Sequence, residues 1–147
     1  MDEQLTKCIE FAHMAHAGQK DKGGADYINH PLRVMDGVDT TQEKMTAVLH
    51  DILEDTCFTS GDLKRMLGVS DEILEALNLL TRRRGESYKT YIENLTVSPL
   101  AVAVKISDLK DNLNLERLDH VTEHDLIRCE KYRQALEYLY KITPVDH

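Results

Sequence analysis

Apolar residues recur along this chain at intervals of three and four, and no segment alternates convincingly with period two. That spacing lines one face of an α-helix, so helices are expected almost throughout. Leu5, Cys8, Ile9, Ala12 and Ala15 form a first stripe, with Gly18 expected to end its helix. Thr40 and Glu43 make a capping-box signature ahead of a helix containing Met45, Val48, Leu49, Ile52 and Leu53. Ser60 and Ser70 are placed to cap a short helix and a longer one with Ile73, Leu74, Leu77 and Leu80. Gly85 breaks the chain before Tyr88, Tyr91, Ile92 and Leu95, tyrosines read as packing residues. Ser98-Pro99 reads as an N-cap and first-turn proline for the helix carrying Asp108, and Thr122 with Asp125 opens a last stripe of Leu126, Cys129, Tyr132, Leu136 and Leu139. The pattern predicts an all-α bundle of about seven or more helices. A single domain is expected over residues 1–147, its core over about 5–140 and its tail frayed over 143–147.

One stripe is interrupted by charge. Within residues 48–56 (VLHDILEDT), His50, Asp51, Glu54 and Asp55 sit among apolar positions. On a continuous helix Glu54 lies one turn above His50 and Asp55 one turn above Asp51. Burying such groups costs free energy unless they are paired or bind a cation. A satisfied core histidine at a solvated helix end is the ordinary explanation of a lone His-Asp pair. Two further segments favour a metal. In YINHP, His30 precedes Pro31, which biases His30 to an extended conformation and lets Pro31 open the next helix. In VKISDLKDN, Asp108 is the carboxylate of a hydrophobic helix, with Asn112 one turn further on. Two imidazoles and two carboxylates without cysteine suit Mn, Fe(II), Co or Zn with open positions for water or substrate.

In this order HAGQ, YINHP, LHDILEDT and VKISDLKDN resemble the HD-domain phosphohydrolases, over about residues 5–140. Within them they resemble the hydrolase domain of RelA/SpoT-type (p)ppGpp enzymes and the small stand-alone alarmone hydrolases. The resemblance implies that His30, His50, Asp51 and Asp108 ligate one divalent metal, Mn(II) in the alarmone hydrolases, and that Glu54 and Asp55 orient and activate the attacking water. Asn112, Arg128 and Tyr132 match substrate-contacting positions, and Lys22 matches a lysine that grips the nucleotide. For an alarmone the bond broken would be the 3′-pyrophosphate ester, giving GDP or GTP and pyrophosphate. Homodimerisation is also within the family's habits. The loop before Tyr27 departs from the pattern. Asp21 stands where the alarmone hydrolases carry arginine, and Asp26 where they carry proline. Asp21 removes a planar, stacking cation, so phosphate-ester chemistry is implied more strongly than the (p)ppGpp substrate itself.

The remaining features bound the setting. A formal net charge of −8 argues against a nucleic-acid polymer as partner, whereas a small phosphorylated substrate, nucleotide-like here, needs only local positive charge. From the 147 residues a single HD domain is expected, without a synthetase or regulatory domain beside it. No signal-like or membrane-spanning run is seen, and a cytoplasmic location is expected. Cys8, Cys57 and Cys129 have no paired spacing and read as reduced thiols. His16 is expected to order the loop that follows it, and His120 and His124 to be solvated. Arg82-Arg83-Arg84 is the concentrated positive run; Arg82 is a candidate phosphate contact, weighed equally against a helix end decorated with cations. The function expected is a metal-dependent phosphohydrolase of a nucleotide phosphate or pyrophosphate ester. The alternatives are a phosphatase for another nucleotide or small monoester, and a catalytically silent nucleotide-binding HD domain.

Overall fold

A computed structural model describes residues 2–143. The described residues form nine α-helices: α1 (Glu3–Ala15), α2 (Asn29–Asp36), α3 (Thr41–Leu49), α4 (Ile52–Asp55), α5 (Ser60–Leu67), α6 (Asp71–Leu80), α7 (Tyr88–Leu95), α8 (Pro99–Asn112) and α9 (Glu123–Ile142). Among the described residues the extended pairing is one isolated antiparallel bridge, Lys20 with Asp26. The all-α expectation holds. The fraying expected for the tail falls, beyond Thr143, outside the described residues.

The helix boundaries follow local chemistry. Thr40–Glu43 and Thr122–Asp125 form full capping boxes, and Ser70 and Ser98 each accept a hydrogen bond from the backbone three residues on. Other boundaries differ from expectation. Thr59, not Ser60, caps α5, because Asp62 completes a reciprocal box with it. α1 ends at Ala15 with His16 as C-cap, and Gly18 lies beyond in a left-handed conformation at φ 85°. α2 begins two residues before Pro31, which makes His30 helical rather than extended. Pro31 is tolerated there because first-turn N–H groups have no intrahelical acceptor to lose. Leu126 is exposed, so the α9 stripe is narrower than its periodicity suggested.

Two apolar clusters share the interior. Leu5, Phe11, Leu49, Ile52, Leu63, Ile73 and Leu77 unite α1, α3, α4, α5 and α6. Val34, Leu80, Tyr91, Leu95, Val104, Leu109 and Leu139 join α2, α6, α7, α8 and α9. Between them α2, α3 and α8 pack against one another. The α2–α8 approach is close at Gly37, where a Cβ would stand 2.3 Å from Ser107 Oγ. That hydroxyl donates to Val34 O at 2.8 Å and pins the two helices. Their relative position brings His30 and Asp108 to one point.

Candidate metal centre and adjoining clefts

The helix expected to run through residues 45–55 is broken at His50-Asp51. His50 Nδ1 lies 2.6 Å from Ala47 O and its backbone N–H donates to the same carbonyl at 3.3 Å. Ala47 O is the acceptor a continuous helix would offer to the Asp51 N–H, so the imidazole competes with the ladder at the point where the helix stops. Asp51 then starts a new turn by accepting from Asp55 N–H at 2.9 Å. Buried Leu49 and Ile52 anchor the break on both sides.

Four side chains meet beside it. His30 Nε2 is 2.8 Å from Asp108 Oδ1 and 3.8 Å from Asp51 Oδ2. His50 Nε2 is 3.2 Å from Asp51 Oδ2 and 3.4 Å from Asp108 Oδ1. Ligand atoms of His30, His50 and Asp51 all lie within 4.8 Å of one another. With Nδ1 donating to Ala47, His50 turns the lone pair of Nε2 inward, and among the described residues that buried nitrogen makes no hydrogen bond. A buried orphan lone pair facing two carboxylates is what a metal ligand requires.

The electrostatics point the same way. Burial opposes charge on His30, but the hydrogen bonds with Asp108 and Asp111 prevail, and its pKa is pushed up to about 10. His50 moves upward too, burial again being outweighed, here by Asp51 and Asp108. Burial disfavours the Asp108 carboxylate, yet Lys105 and the two imidazoles hold it well below the usual range. The centre is a pocket of negative potential, the field that a divalent cation offsets.

Glu54 lines the same cavity of about 270 Å³ as His30, His50, Asp51 and Asp108. Burial and the neighbouring Asp51 raise the pKa of both Glu54 and Asp55; Lys105 and the Arg82 N–H partly offset this at Glu54, and His16 and Tyr27 at Asp55. Gln19 ties Asp55 into place: its Oε1 accepts from His16 Nδ1 at 2.9 Å and its Nε2 donates to Asp55 O at 3.2 Å. His16 is thus buried in the support of Asp55, as well as ordering its own loop.

A second cleft of about 330 Å³ adjoins the first and shares Tyr27, His30, Asn112 and Tyr132 with it. Lys22 and Arg128 also line it, and both pair with Asp125. Asn112 donates to Asp108 Oδ1 at 3.2 Å, linking the two spaces. Asp21 lines the cleft, but its Oδ1 accepts the Ala25 N–H at 2.9 Å within the turn. The turn abuts the loop after α8 at Gly23, where a Cβ would lie 2.7 Å from Arg117 O. Arg82 is not drawn into either cleft. It follows α6, and its guanidinium donates to Glu86 O.

Several residues of the centre escaped the sequence reading. Tyr27 donates to Asp51 Oδ2 at 2.6 Å. Asp111 holds His30 Nδ1 at 2.6 Å and is itself held by Arg33 and Arg117. Lys105, buried in the cavity wall, donates to Asp108 Oδ2 at 2.9 Å and lies 5.1 Å from the Tyr91 ring centroid. A lysine inside the apolar run of α8 was the available signal for this last group. The three cysteines are unpaired, and among the described residues no helix is long and apolar enough to cross a membrane.

No protein-family model matches the chain. Curated relatives do. The chain is 31% identical over 157 aligned positions, 99% of its length, to the guanosine-3′,5′-bis(diphosphate) 3′-pyrophosphohydrolase of Aquifex aeolicus. It is 31% identical across 93% of its length to the Haemophilus influenzae protein of that name, and 27% identical across 99% to the bifunctional (p)ppGpp synthase/hydrolase SpoT of Escherichia coli. It spans about a fifth of the length of these relatives, 21%, 21% and 22% respectively. Among solved structures, one described as a metazoan orthologue of SpoT that hydrolyses ppGpp superposes with a TM-score of 0.80 at 21% identity. The match covers 97% of this chain and 88% of that one. Nearly the whole of this chain is thus similar to a part of these relatives, and its helical fold is the one seen in that solved structure.

Proposed function

We propose that the chain is a divalent-metal-dependent phosphohydrolase acting on the 3′-pyrophosphate ester of a (p)ppGpp-like nucleotide. The observation that carries this reading is the meeting of His30, His50, Asp51 and Asp108 in one cavity with Glu54 on its wall. The relatives' names supply the substrate class. His30, His50, Asp51 and Asp108 would hold the metal, Mn(II) by family resemblance, with Fe(II), Co(II) or Zn(II) compatible with the same donors. Bound there, a divalent cation lowers the pKa of water and offsets phosphate charge.

The chain's own residues do the rest. Glu54 accepts the proton of the attacking water, and its raised pKa brings it nearer the working range of a general base. Asp55, fixed through Gln19, orients that water. Water adds to the phosphorus on the ribose 3′-oxygen, that P–O bond breaks, and the 3′-oxygen takes up a proton as it leaves. Lys22, Arg128, Asn112 and Tyr132 hold the nucleotide in the second cleft.

A second reading is a phosphatase for a less highly charged nucleotide or monoester. Asp125 favours it, because this carboxylate already pairs with both Lys22 and Arg128 and lowers the positive charge available to phosphates. The deciding experiment is release of pyrophosphate and phosphate from ppGpp and a panel of nucleotides and monoesters by Mn(II)-loaded protein, with Asp51→Ala and Glu54→Ala as controls. Pyrophosphate from ppGpp, lost in both variants, supports the first reading. Orthophosphate from another substrate with ppGpp untouched supports the second, and no turnover of any phosphate ester overturns both.

A further inference from the structure

We propose that Arg82, Lys105 and Lys131 form an anion subsite around the Tyr88 ring that takes a diphosphate group, both as the departing end of the substrate and as inorganic pyrophosphate. This rests on the hydrolase reading for its place in the reaction, but not for the binding itself.

In an acidic protein three cations from three segments converge on one ring. Lys131 Nζ, from α9, lies 4.4 Å from the Tyr88 centroid. The Arg82 guanidinium carbon, from the α6–α7 connection, lies 5.4 Å away, and Lys105 Nζ, from α8, 6.0 Å. Like charges this close repel, and the ring face compensates only in part. Burial and repulsion from Arg82, Lys105 and Arg128 lower the Lys131 pKa.

The nearby carboxylates quench the cluster only in part: Glu54 accepts the Arg82 backbone N–H and feels the Lys105 charge. Lys105 is paired with Asp108, but among the described residues neither Arg82 nor Lys131 has a carboxylate within ion-pair distance. Glu86 gives Arg82 its backbone carbonyl, while its side chain takes the Arg83 N–H at 3.3 Å and Asn94 at 3.2 Å. Part of the Arg82 fork therefore remains open, in the geometry that suits bidentate phosphate contact. The Tyr88 hydroxyl is buried and makes no hydrogen bond among the described residues, so it has a proton to donate.

The position suits a leaving group. Lys105 lines the metal cavity on the wall that the nucleotide cleft does not share, and Tyr132, which lines both, packs its ring 6.2 Å from Tyr88. A nucleotide lying along Lys22 and Arg128 with its ester at the metal centre would reach this cluster with its terminal phosphate. Arg82 and Lys131 are exposed, so pyrophosphate has access from solvent.

The test uses the full chain. Calorimetry on metal-free protein measures inorganic pyrophosphate, orthophosphate and GDP separately, with Arg82→Gln, Lys131→Gln, the double variant and Lys131→Arg. The double variant is expected to lose about tenfold or more in pyrophosphate affinity, with Lys131→Arg close to the parent and GDP little changed. Orthophosphate should bind more weakly than pyrophosphate to the parent. In Mn(II)-loaded protein the inhibition constant for pyrophosphate and the KM for ppGpp should both rise in the double variant. Pyrophosphate affinity unchanged in the double variant, with circular dichroism like the parent's, overturns the subsite. If ppGpp is not hydrolysed by the parent but pyrophosphate binding depends on Arg82 and Lys131, the subsite stands and the hydrolase reading falls. Should the double variant misfold, the two single variants carry the same test.

Discussion

Asp111 holds His30 by its far nitrogen, Oδ2 to Nδ1 at 2.6 Å, while its other oxygen accepts Arg33 Nε at 2.8 Å. The imidazole is thereby aimed at Asp108 and Asp51. A carboxylate behind a ligand histidine fixes its orientation and raises its basicity. In Asp111→Asn the shape persists but the charge is lost. Divalent-metal affinity is expected to fall about 10- to 100-fold with the helical content unchanged. Competition titration against a chromophoric chelator measures it, and parental affinity would remove Asp111 from the support of the site.

Lys105 and Asp108 are a buried pair, Nζ to Oδ2 at 2.9 Å. Removing the ammonium leaves a carboxylate in the interior without its main countercharge. Lys105→Met should therefore destabilise the metal-free protein by about 3–5 kcal/mol, the range found for breaking buried ion pairs. Binding of a divalent cation at Asp108 would restore countercharge, so the loss should shrink when Mn(II) is added. Denaturant unfolding with and without metal tests this; an equal loss in both conditions would contradict it.

His16, Gln19 and Asp55 form one chain of hydrogen bonds from the end of α1 to the end of α4. Breaking it frees the turn that carries Glu54 and Asp55. His16→Ala and Gln19→Ala are each expected to lower kcat by roughly tenfold to a hundredfold, since small misplacement of a catalytic group is costly. Metal affinity should be nearly unchanged. The double variant should be no worse than either single one, because each removes the same link. Additive losses would mean two independent roles.

Asp125 makes stability depend on acid. Its carboxylate accepts the Thr122 N–H at 2.9 Å and pairs with Lys22 and Arg128, and these interactions, the backbone bond foremost, lower its pKa to about 2. A folded pKa below the unfolded one means that the ionised carboxylate stabilises the fold. The contribution is complete above about pH 5 and disappears as pH falls toward 2. Thermal unfolding of the parent and Asp125→Asn should therefore differ at neutral pH and converge on acidification. A pH-independent difference would show that the loss is one of packing.

Much of the secondary structure was legible because its causes are local. A hydroxyl before a helix and a carboxylate three residues on are enough for the boxes at Thr40–Glu43 and Thr122–Asp125. Ser98 and Pro99 start α8 for equally local reasons. The candidate ligands were legible for a related reason: His50, Asp51 and Asp108 are polar residues in apolar stripes, and burial of such groups demands a partner. Leu126 marks where this logic ends, since periodicity says which face a residue occupies and not whether another element covers it.

By itself, then, the sequence determined the helices, most of their caps and the polar residues that interrupt their apolar faces, all consequences of interactions within a few residues. Tertiary structure alone decided which of those residues meet. His30 reaches Asp108, 78 positions away, because Gly37 lets α2 close on Ser107 of α8. The helix breaks at His50 because a folded core on both sides holds the imidazole against Ala47 O. Asp111, Lys105 and the cations around Tyr88 gained their roles in the same way. A side chain's charge is written in the chain, but the dielectric and the neighbours that give the charge its chemical effect exist only after distant helices have packed.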